Sequence, residues 1–166
     1  MATDPDEFLE FATARSSQLF RTAWLLCGDW HLAEDLVQTT LGKLYRSWRR
    51  VRSADSPDAY ARTVLVRSYL SYRRRRSSTE QPYGSLPDSA GREIDPALRL
   101  TLLKGLAELP PKDRAVLVLR YWEDLSVEQT AQQMGCSAGA VRNRSLRALA
   151  KLRTVLGGEL HLLTAA

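Results

Sequence analysis

The spacing of apolar residues along this chain predicts helices over almost its whole length. One apolar stripe starts after an N-cap at Asp4 and ends at Gly28, a residue type that often terminates helices. A second stripe follows the cap Asp29 and continues to Trp48, and a third helix opens at Ser56. Because no segment alternates between apolar and polar residues, the pattern predicts an all-α fold.

A stretch rich in serine, proline and glycine separates two helical domains. It lacks a hydrophobic period and is typical of a flexible linker, until Asp95 restarts a helix. Pro110 ends that helix, and the next one carries Leu119 and Tyr121 among its apolar residues. The predicted organisation is a first domain at 5–76, a linker at 77–94, a second domain at 95–157 and a C-terminal tail at 158–166.

Residues 126–156 fit a helix-turn-helix. Ser126 is followed by glutamine at the spacing of a capping box, Gly135 can end the first helix in a left-handed conformation, and Ser137 can cap the second. In such a motif the second helix enters the major groove, where arginine pairs with guanine and asparagine with adenine. The alternative is an ordinary helical hairpin with an exposed basic face. The polar residues that lie off its apolar stripe are Arg142, Asn143, Arg144, Arg147 and Lys151.

Positive charge is concentrated in two separate islands. The net charge is +5, but residues 1–42 carry −5, residues 43–76 carry +9, and residues 137–157 hold 5 basic residues and no acidic one. Two islands suggest two contacts with a polyanion, although a run of charge is often only a solvated face. We interpret both islands as candidate nucleic-acid surfaces.

The composition argues against several other classes of protein. No apolar run approaches the roughly 20 residues that span a bilayer, and the acidic start is unlike a signal peptide, so we expect a cytoplasmic protein. Cys27 and Cys136 have no partner at metal or disulfide spacing and should be reduced thiols. His31 and His161 are isolated, and no nucleophile–base pair occurs. We therefore predict no enzymatic activity, no metal and no cofactor.

The second helix carries a polar ridge beside its apolar stripe. The ridge consists of Asp35, Gln38, Thr39 and Gly42. A helix that docks on another protein would use such a ridge, whereas an ordinary surface helix does not need one. The alternative is that Asp35 pairs with nearby arginines.

Several sequence segments together resemble the extracytoplasmic-function sigma factors of bacterial RNA polymerase. AEDLVQ at 33–38, LYRSW at 44–48 and the arginine run at 73–76 resemble region 2 of that family. ELPPKDRAV at 108–116, followed by the helix-turn-helix, resembles region 4. LLCGD at 25–29 is most similar to the actinobacterial SigE-like branch. The likeness covers nearly the whole chain outside the linker and the tail.

This resemblance implies a function and a set of contacts. Such factors bind core RNA polymerase and direct promoter-specific initiation, so the polar ridge would dock on the β′ clamp helices and the apolar side of region 4 on the β flap. The loop at about 50–56 would hold a flipped base of the −10 element. The residues implied in −10 contacts are Arg50, Arg52, Ser53, Arg62, Arg67, Arg73 and Arg74. Those implied in −35 contacts are Ser137, Arg142, Asn143, Arg144, Leu146 and Arg147.

The sequence also departs from the family and leaves alternatives open. Many members carry asparagine near position 67 and aspartate near 71, where this chain has Arg67 and Ser71, so their −10 preference does not transfer here. The terminal Ala165 and Ala166 resemble tags for the ClpXP protease, or are simply a frayed tail. Whether an anti-sigma factor binds is left open. The main alternative function is a repressor or activator that binds duplex DNA without polymerase.

Overall fold

The computed structural model describes residues 3–76 and 96–157, with the side chains of the second range described from Arg99 onward. The expected linker at 77–94 and tail at 158–166, with His161, Ala165 and Ala166, lie outside the described residues. Within the described ranges every regular element is helical, which confirms the all-α prediction. The chain divides into two compact units, Met1–Gly84 and Ser85–Ala166.

The first unit is built from three longer helices and one short one. They are α1 (Asp4–Cys27), α2 (Trp30–Arg46), α3 (Trp48–Arg52) and α4 (Pro57–Arg75). α1 ends as predicted, because Gly28 is left-handed with φ 69°. α2 begins as predicted, because the Asp29 carboxylate accepts a hydrogen bond from the Leu32 amide at 3.0 Å. The start of α1 differs from the prediction by one residue. Thr3 is the N-cap rather than Asp4, and its amide donates to Asp6 Oδ2 at 3.1 Å.

The boundary between α2 and α4 also differs from the sequence prediction. The apolar stripe was expected to run to Trp48 in one helix, but α2 ends at Arg46 and Trp48 begins the separate helix α3. Trp48 is buried against Phe8 and Phe11, with ring centroids 5.4 and 5.3 Å apart, and Val51 is fully buried. Because these two side chains are drawn into the core, the chain stays helical after the break, and the connection to α4 shortens to residues 53–56.

The core of the first unit lies where α1, α2 and α4 meet. Its largest fully buried side chains are Leu26, Leu44, Val51, Leu65, Val66 and Tyr69. Tyr69 is therefore a core residue and not a platform for stacking bases, as its helical spacing indicated. Tyr60 and Tyr72 are half-buried.

The second unit is organised around its last helix. Its elements are α5 (Pro96–Ala107), α6 (Pro111–Leu117), a π-helical turn (Val118–Trp122), α7 (Val127–Met134) and α8 (Ala138–Leu156). α8 packs against α5, α6 and α7. Val116, Ala131 and Val141 form a buried cluster that joins α6, α7 and α8. α5 approaches α8 closely at Gly105, where a Cβ would lie 2.7 Å from Leu152 Cδ1.

The π-helical turn changes which residues of the second unit face the core. Its wide turn is closed by a hydrogen bond from the Glu123 amide to the Val118 carbonyl at 3.0 Å. The extra residue in the turn shifts the phase of the helix. Leu119 remains buried, but Tyr121, which the sequence groups with the apolar residues of this helix, points to solvent together with Trp122.

Candidate nucleic-acid and protein interfaces

The polar ridge of α2 is a continuous exposed surface in the structure. All four residues of the ridge are exposed, while Leu36, Val37 and Thr40 on the other side of the helix are buried. A Cβ added at Gly42 would meet nothing within 4 Å, so this end of the ridge is open to a partner. The ridge positions follow successive turns of α2, as their spacing predicts.

A shallow groove runs beside the ridge, between α2 and α4. Asp35 and Thr39 line its α2 side, and Ser71, Tyr72 and Arg75 line its α4 side. Within the described residues Asp35 forms no ion pair, so the alternative pairing with a local arginine does not occur there. The groove therefore presents a carboxylate and a guanidinium that are both accessible to a partner.

The basic island after α2 is partly neutralised by the acidic start of α1. Arg50 is exposed, but the Arg52 guanidinium lies 2.7 Å from Asp4 and 2.8 Å from Glu7. These contacts, first of all the hydrogen bond that Arg52 donates to Glu7, raise the pKa of Arg52 above its ordinary value. The Ser53 hydroxyl, at the C-terminal end of α3, contacts the Arg49 carbonyl at 2.8 Å and the Arg50 carbonyl at 3.1 Å as a donor. Of these three candidate −10 residues, only Arg50 has an unengaged side chain.

The candidate −10 arginines of α4 do not share one face. Arg62 and Arg73 are about three helical turns apart and lie on one side, whereas Arg67 and Arg74 are about two turns apart and lie roughly a third of a turn away. Arg62 is half-buried and the other three are exposed. The helix therefore offers two basic stripes.

The local geometry of the helix-turn-helix agrees with its sequence signals. Ser126 Oγ accepts from the Gln129 amide at 3.0 Å, and Gln129 Oε1 accepts from the Ser126 amide at 2.9 Å, which completes the capping box. Gly135 is left-handed with φ 64°. Ser137 Oγ accepts from the Ala140 amide at 3.1 Å, so Ser137 caps α8 and its hydroxyl is already engaged.

The first turns of α8 present a mixed basic and apolar surface. Its exposed residues are Arg142, Asn143, Leu146 and Arg147, and its buried residues are Val141, Ser145, Ala148 and Leu152. Leu146 is 70% exposed, which is unusual for a large apolar side chain and suits contact with a thymine methyl group. Arg142 is only loosely held, with 3.4 Å between its Nη2 and Glu128 Oε1.

Arg144 lies apart from this exposed surface. Its Nη1 lies 3.0 Å from Oδ1 of Asp113, a buried carboxylate in the first turn of α6 that also contacts Arg147. Arg144 is half-buried and held by Asp113, and its contact with the −35 element stays a prediction. Asp113 itself was missed, because its role depends on a contact 31 residues away. The only local signal was an acidic residue near a helix start.

The described residues contain no group of three or more histidine, cysteine or acidic side chains that could hold a metal ion. Neither Cys27 nor Cys136 forms a disulfide in the described part of the chain, and both are half-buried; Cys27 Sγ donates to the Asp29 carbonyl at 3.3 Å. Over the same residues, no helix combines the length and apolar character needed to cross a membrane.

Comparison with known protein families identifies the family of this chain. The family model for Sigma-70 region 2 matches residues 11–79, and that for Sigma-70, region 4 matches residues 99–152. The chain belongs to the sigma-70 family. This is a family of transcription-initiation factors rather than of catalytic enzymes, and the two matches fall on the two units of this sigma factor.

Related proteins define the branch more closely. The sigma factor is 39% identical to the RNA polymerase sigma-E factor of Streptomyces coelicolor over 155 residues, which cover 90% of this chain and 86% of that protein. It is 30% identical to the ECF RNA polymerase sigma factor SigE of Mycolicibacterium smegmatis, over 89% of this chain and 60% of that protein. The resemblance to extracytoplasmic-function sigma factors of the SigE-like branch is confirmed.

Solved structures show the same fold at lower identity. The sigma factor RpoE of Bartonella quintana, in complex with the anti-sigma factor NepR, has a TM-score of 0.76 and 24% identity, covering 92% of this chain and 98% of that one. CnrH, in complex with the cytosolic domain of CnrY, has a TM-score of 0.61 and 22% identity, covering 90% and 86%.

Proposed function

We propose that this sigma factor binds core RNA polymerase through its first unit and directs initiation at promoters whose −35 and −10 elements it contacts itself. One observation carries the proposal. The same chain holds an exposed polar ridge on α2 in one unit and a helix-turn-helix with exposed basic first turns in the other. A regulator that binds only duplex DNA needs the second feature but has no use for the first.

Two observations support the assignment of the polymerase contacts: the ridge is exposed, and Asp35 forms no ion pair with any of the residues that the structure describes. The ridge residues Asp35, Gln38, Thr39 and Gly42 would dock on the β′ clamp helices, with the neighbouring groove as part of the contact. In the second unit, the apolar side of the helices would meet the β flap. The exposed aromatic pair Tyr121 and Trp122 supports an apolar contact there.

The DNA contacts are divided between the two units. At the −35 element, Arg142, Asn143 and Arg147 would contact base edges and phosphates, and Leu146 would contact thymine methyl groups. At the −10 element, Arg50 and the two basic stripes of α4 would follow the melted strand, and the short connection at 53–56 would hold an unstacked base. Binding of the unstacked base offsets part of the free-energy cost of melting, while the arginines supply salt-dependent affinity.

Transcription in vitro with purified core RNA polymerase and a library of genomic fragments tests this function. The expected result is a stoichiometric complex with the core enzyme and transcripts that start downstream of a shared pair of elements. A duplex-binding regulator would shift DNA but would neither co-elute with polymerase nor start transcripts. That outcome would overturn the proposed polymerase binding and initiation by this chain and favour the alternative.

Two further partners are proposed on narrower grounds. The structural neighbours RpoE and CnrH are each in complex with a partner, NepR being an anti-sigma factor, and an anti-sigma factor that covers the ridge and groove is proposed here. The site of action would be the cytoplasm, where the polymerase is. The terminal Ala165 and Ala166 would mark the chain for ClpXP. Replacing both by aspartate should lengthen the half-life in cells, and an unchanged half-life would remove this proposal.

A further inference from the structure

One buried carboxylate joins two arginines of the recognition helix. Asp113 Oδ1 lies 3.0 Å from Arg144 Nη1 and 3.2 Å from Arg147 Nη2, and its Oδ2 lies 3.2 Å from Arg147 Nε. The Asp113 side chain is only 2% exposed, whereas Arg144 is 29% and Arg147 is 64% exposed. The cluster therefore runs from the interior of the second unit to the exposed surface of α8.

The burial of Asp113 makes these contacts obligatory. A carboxylate that is removed from water must be paired and hydrogen-bonded, because the cost of leaving it uncompensated is large. Both arginines come from α8, whereas Asp113 comes from α6. The carboxylate thus fixes the position of α8 side chains relative to α6.

The geometry leaves Arg147 free to contact DNA while it is held. A guanidinium has five N–H donors. Arg147 directs the edge formed by Nε and Nη2 at Asp113, so the end formed by Nη1 and the second hydrogen of Nη2 points away from the carboxylate. That end is the pair of donors that can meet guanine or a phosphate in a bidentate contact. Asp113 also raises the pKa of Arg147, mainly through the hydrogen bond.

We propose that Asp113 is a positioning residue for −35 selectivity, which acts by holding the Arg147 guanidinium in its DNA-reading orientation with Arg144 as the half-buried support. The proposal rests on the proposed function. An arginine fixed before binding loses less side-chain entropy when it meets DNA. It also discriminates between bases better, because its donors cannot turn to fit the wrong one. Arg142 provides the contrast, since its contact with Glu128 is long and both side chains are largely exposed.

The test compares two substitutions that remove the same charge. Holoenzymes carrying Asp113→Asn or Glu128→Gln are assayed on a promoter recovered from the genomic library and on a copy with its −35 segment scrambled. The selectivity is the ratio of the two initiation rates. This ratio should fall about three- to tenfold for Asp113→Asn. A change of that size corresponds to the entropic cost of immobilising one long side chain on binding. For Glu128→Gln the ratio should stay within about twofold, because the loss of one negative charge strengthens binding to both promoters alike.

A double-substitution cycle separates positioning from general structural damage. In an Arg147→Ala background, Asp113→Asn should cost little further selectivity, whereas a purely structural role would give the same loss in both backgrounds. Circular dichroism during thermal unfolding shows whether Asp113→Asn keeps its fold. If it does not, Arg147→Lys serves instead, since lysine keeps the charge but cannot form the two-bond pairing. Full retention of selectivity in Arg147→Lys would overturn the proposal.

The remaining outcomes distinguish this inference from the proposed function. If the wild-type holoenzyme initiates selectively but Asp113→Asn and Glu128→Gln behave alike, the sigma function stands and the positioning role is overturned. Higher selectivity in Asp113→Asn would likewise overturn it, because Asp113 would then be sequestering Arg147. If the wild-type holoenzyme does not distinguish the two promoters, both the −35 assignment and the inference are overturned.

Discussion

Replacing Asp35 by asparagine should weaken the binding of core RNA polymerase about tenfold without destabilising the fold. Asp35 is exposed beside the groove between α2 and α4, and within the described residues it makes no ion pair that the substitution would break. A hydrogen bond to a charged group contributes about 1.5–3 kcal/mol, and about 1.4 kcal/mol corresponds to a tenfold change in affinity. Since the side chain is exposed in the free protein, the free energy of unfolding should change by less than about 0.5 kcal/mol.

The neighbouring residue supplies a matched control. Glu34 is exposed on the same helix and carries the same charge, but it lies off the polar ridge. Its Oε1 accepts a hydrogen bond from Trp30 Nε1 at 2.9 Å. The amide oxygen of a glutamine at position 34 can accept the same hydrogen bond. Competition against labelled wild-type protein for a limiting amount of core polymerase measures both variants. If Glu34→Gln and Asp35→Asn lost equal affinity, or neither lost any, the ridge would not be the docking surface.

Two substitutions in the second unit test how its helices are held. Ser126→Ala removes the acceptor for the Gln129 amide and should lower the free energy of unfolding by about 1 kcal/mol in a urea titration, whereas an unchanged midpoint would mean that the capping box contributes nothing. Gly105→Leu places a side chain where Leu152 already packs and should cost about 1–3 kcal/mol; a stability equal to wild type would show that α5 can move away from α8.

The parts of this fold that could be predicted from the sequence depend on residues close together along the chain. Caps such as Asp29 and Ser126 act on amides three residues away, and Gly135 ends its own helix. The polar ridge was predictable for the same reason, since helical spacing alone decides which positions share a face. For these features the local pattern and the final structure carry the same information.

The parts that could not be predicted depend on tertiary contacts. α3 exists because Trp48 reaches Phe8 and Phe11 of α1, about 40 residues earlier in the chain. Tyr121 is exposed because a π-helical turn changes the phase within an apolar run, which hydrophobic periodicity does not register. The contacts of Asp113 could not be predicted, because the sequence does not show that the start of α6 lies against α8. In each case packing decided between arrangements that the local sequence permits equally.

Tertiary contacts also change what the charge pattern means. Counted along the chain, residues 43–76 carry +9 and residues 137–157 carry +5. In the folded protein Arg52 is held by Asp4 and Glu7, and Asp113 neutralises one positive charge of its arginine pair. Affinity for DNA depends on the cations that can reach phosphates, not on the number in the sequence. The acidic residues that reduce each island come from distant segments, so they restrict the arginines they contact to particular positions and orientations. Under the positioning role proposed for Asp113, this restriction would contribute to promoter selectivity.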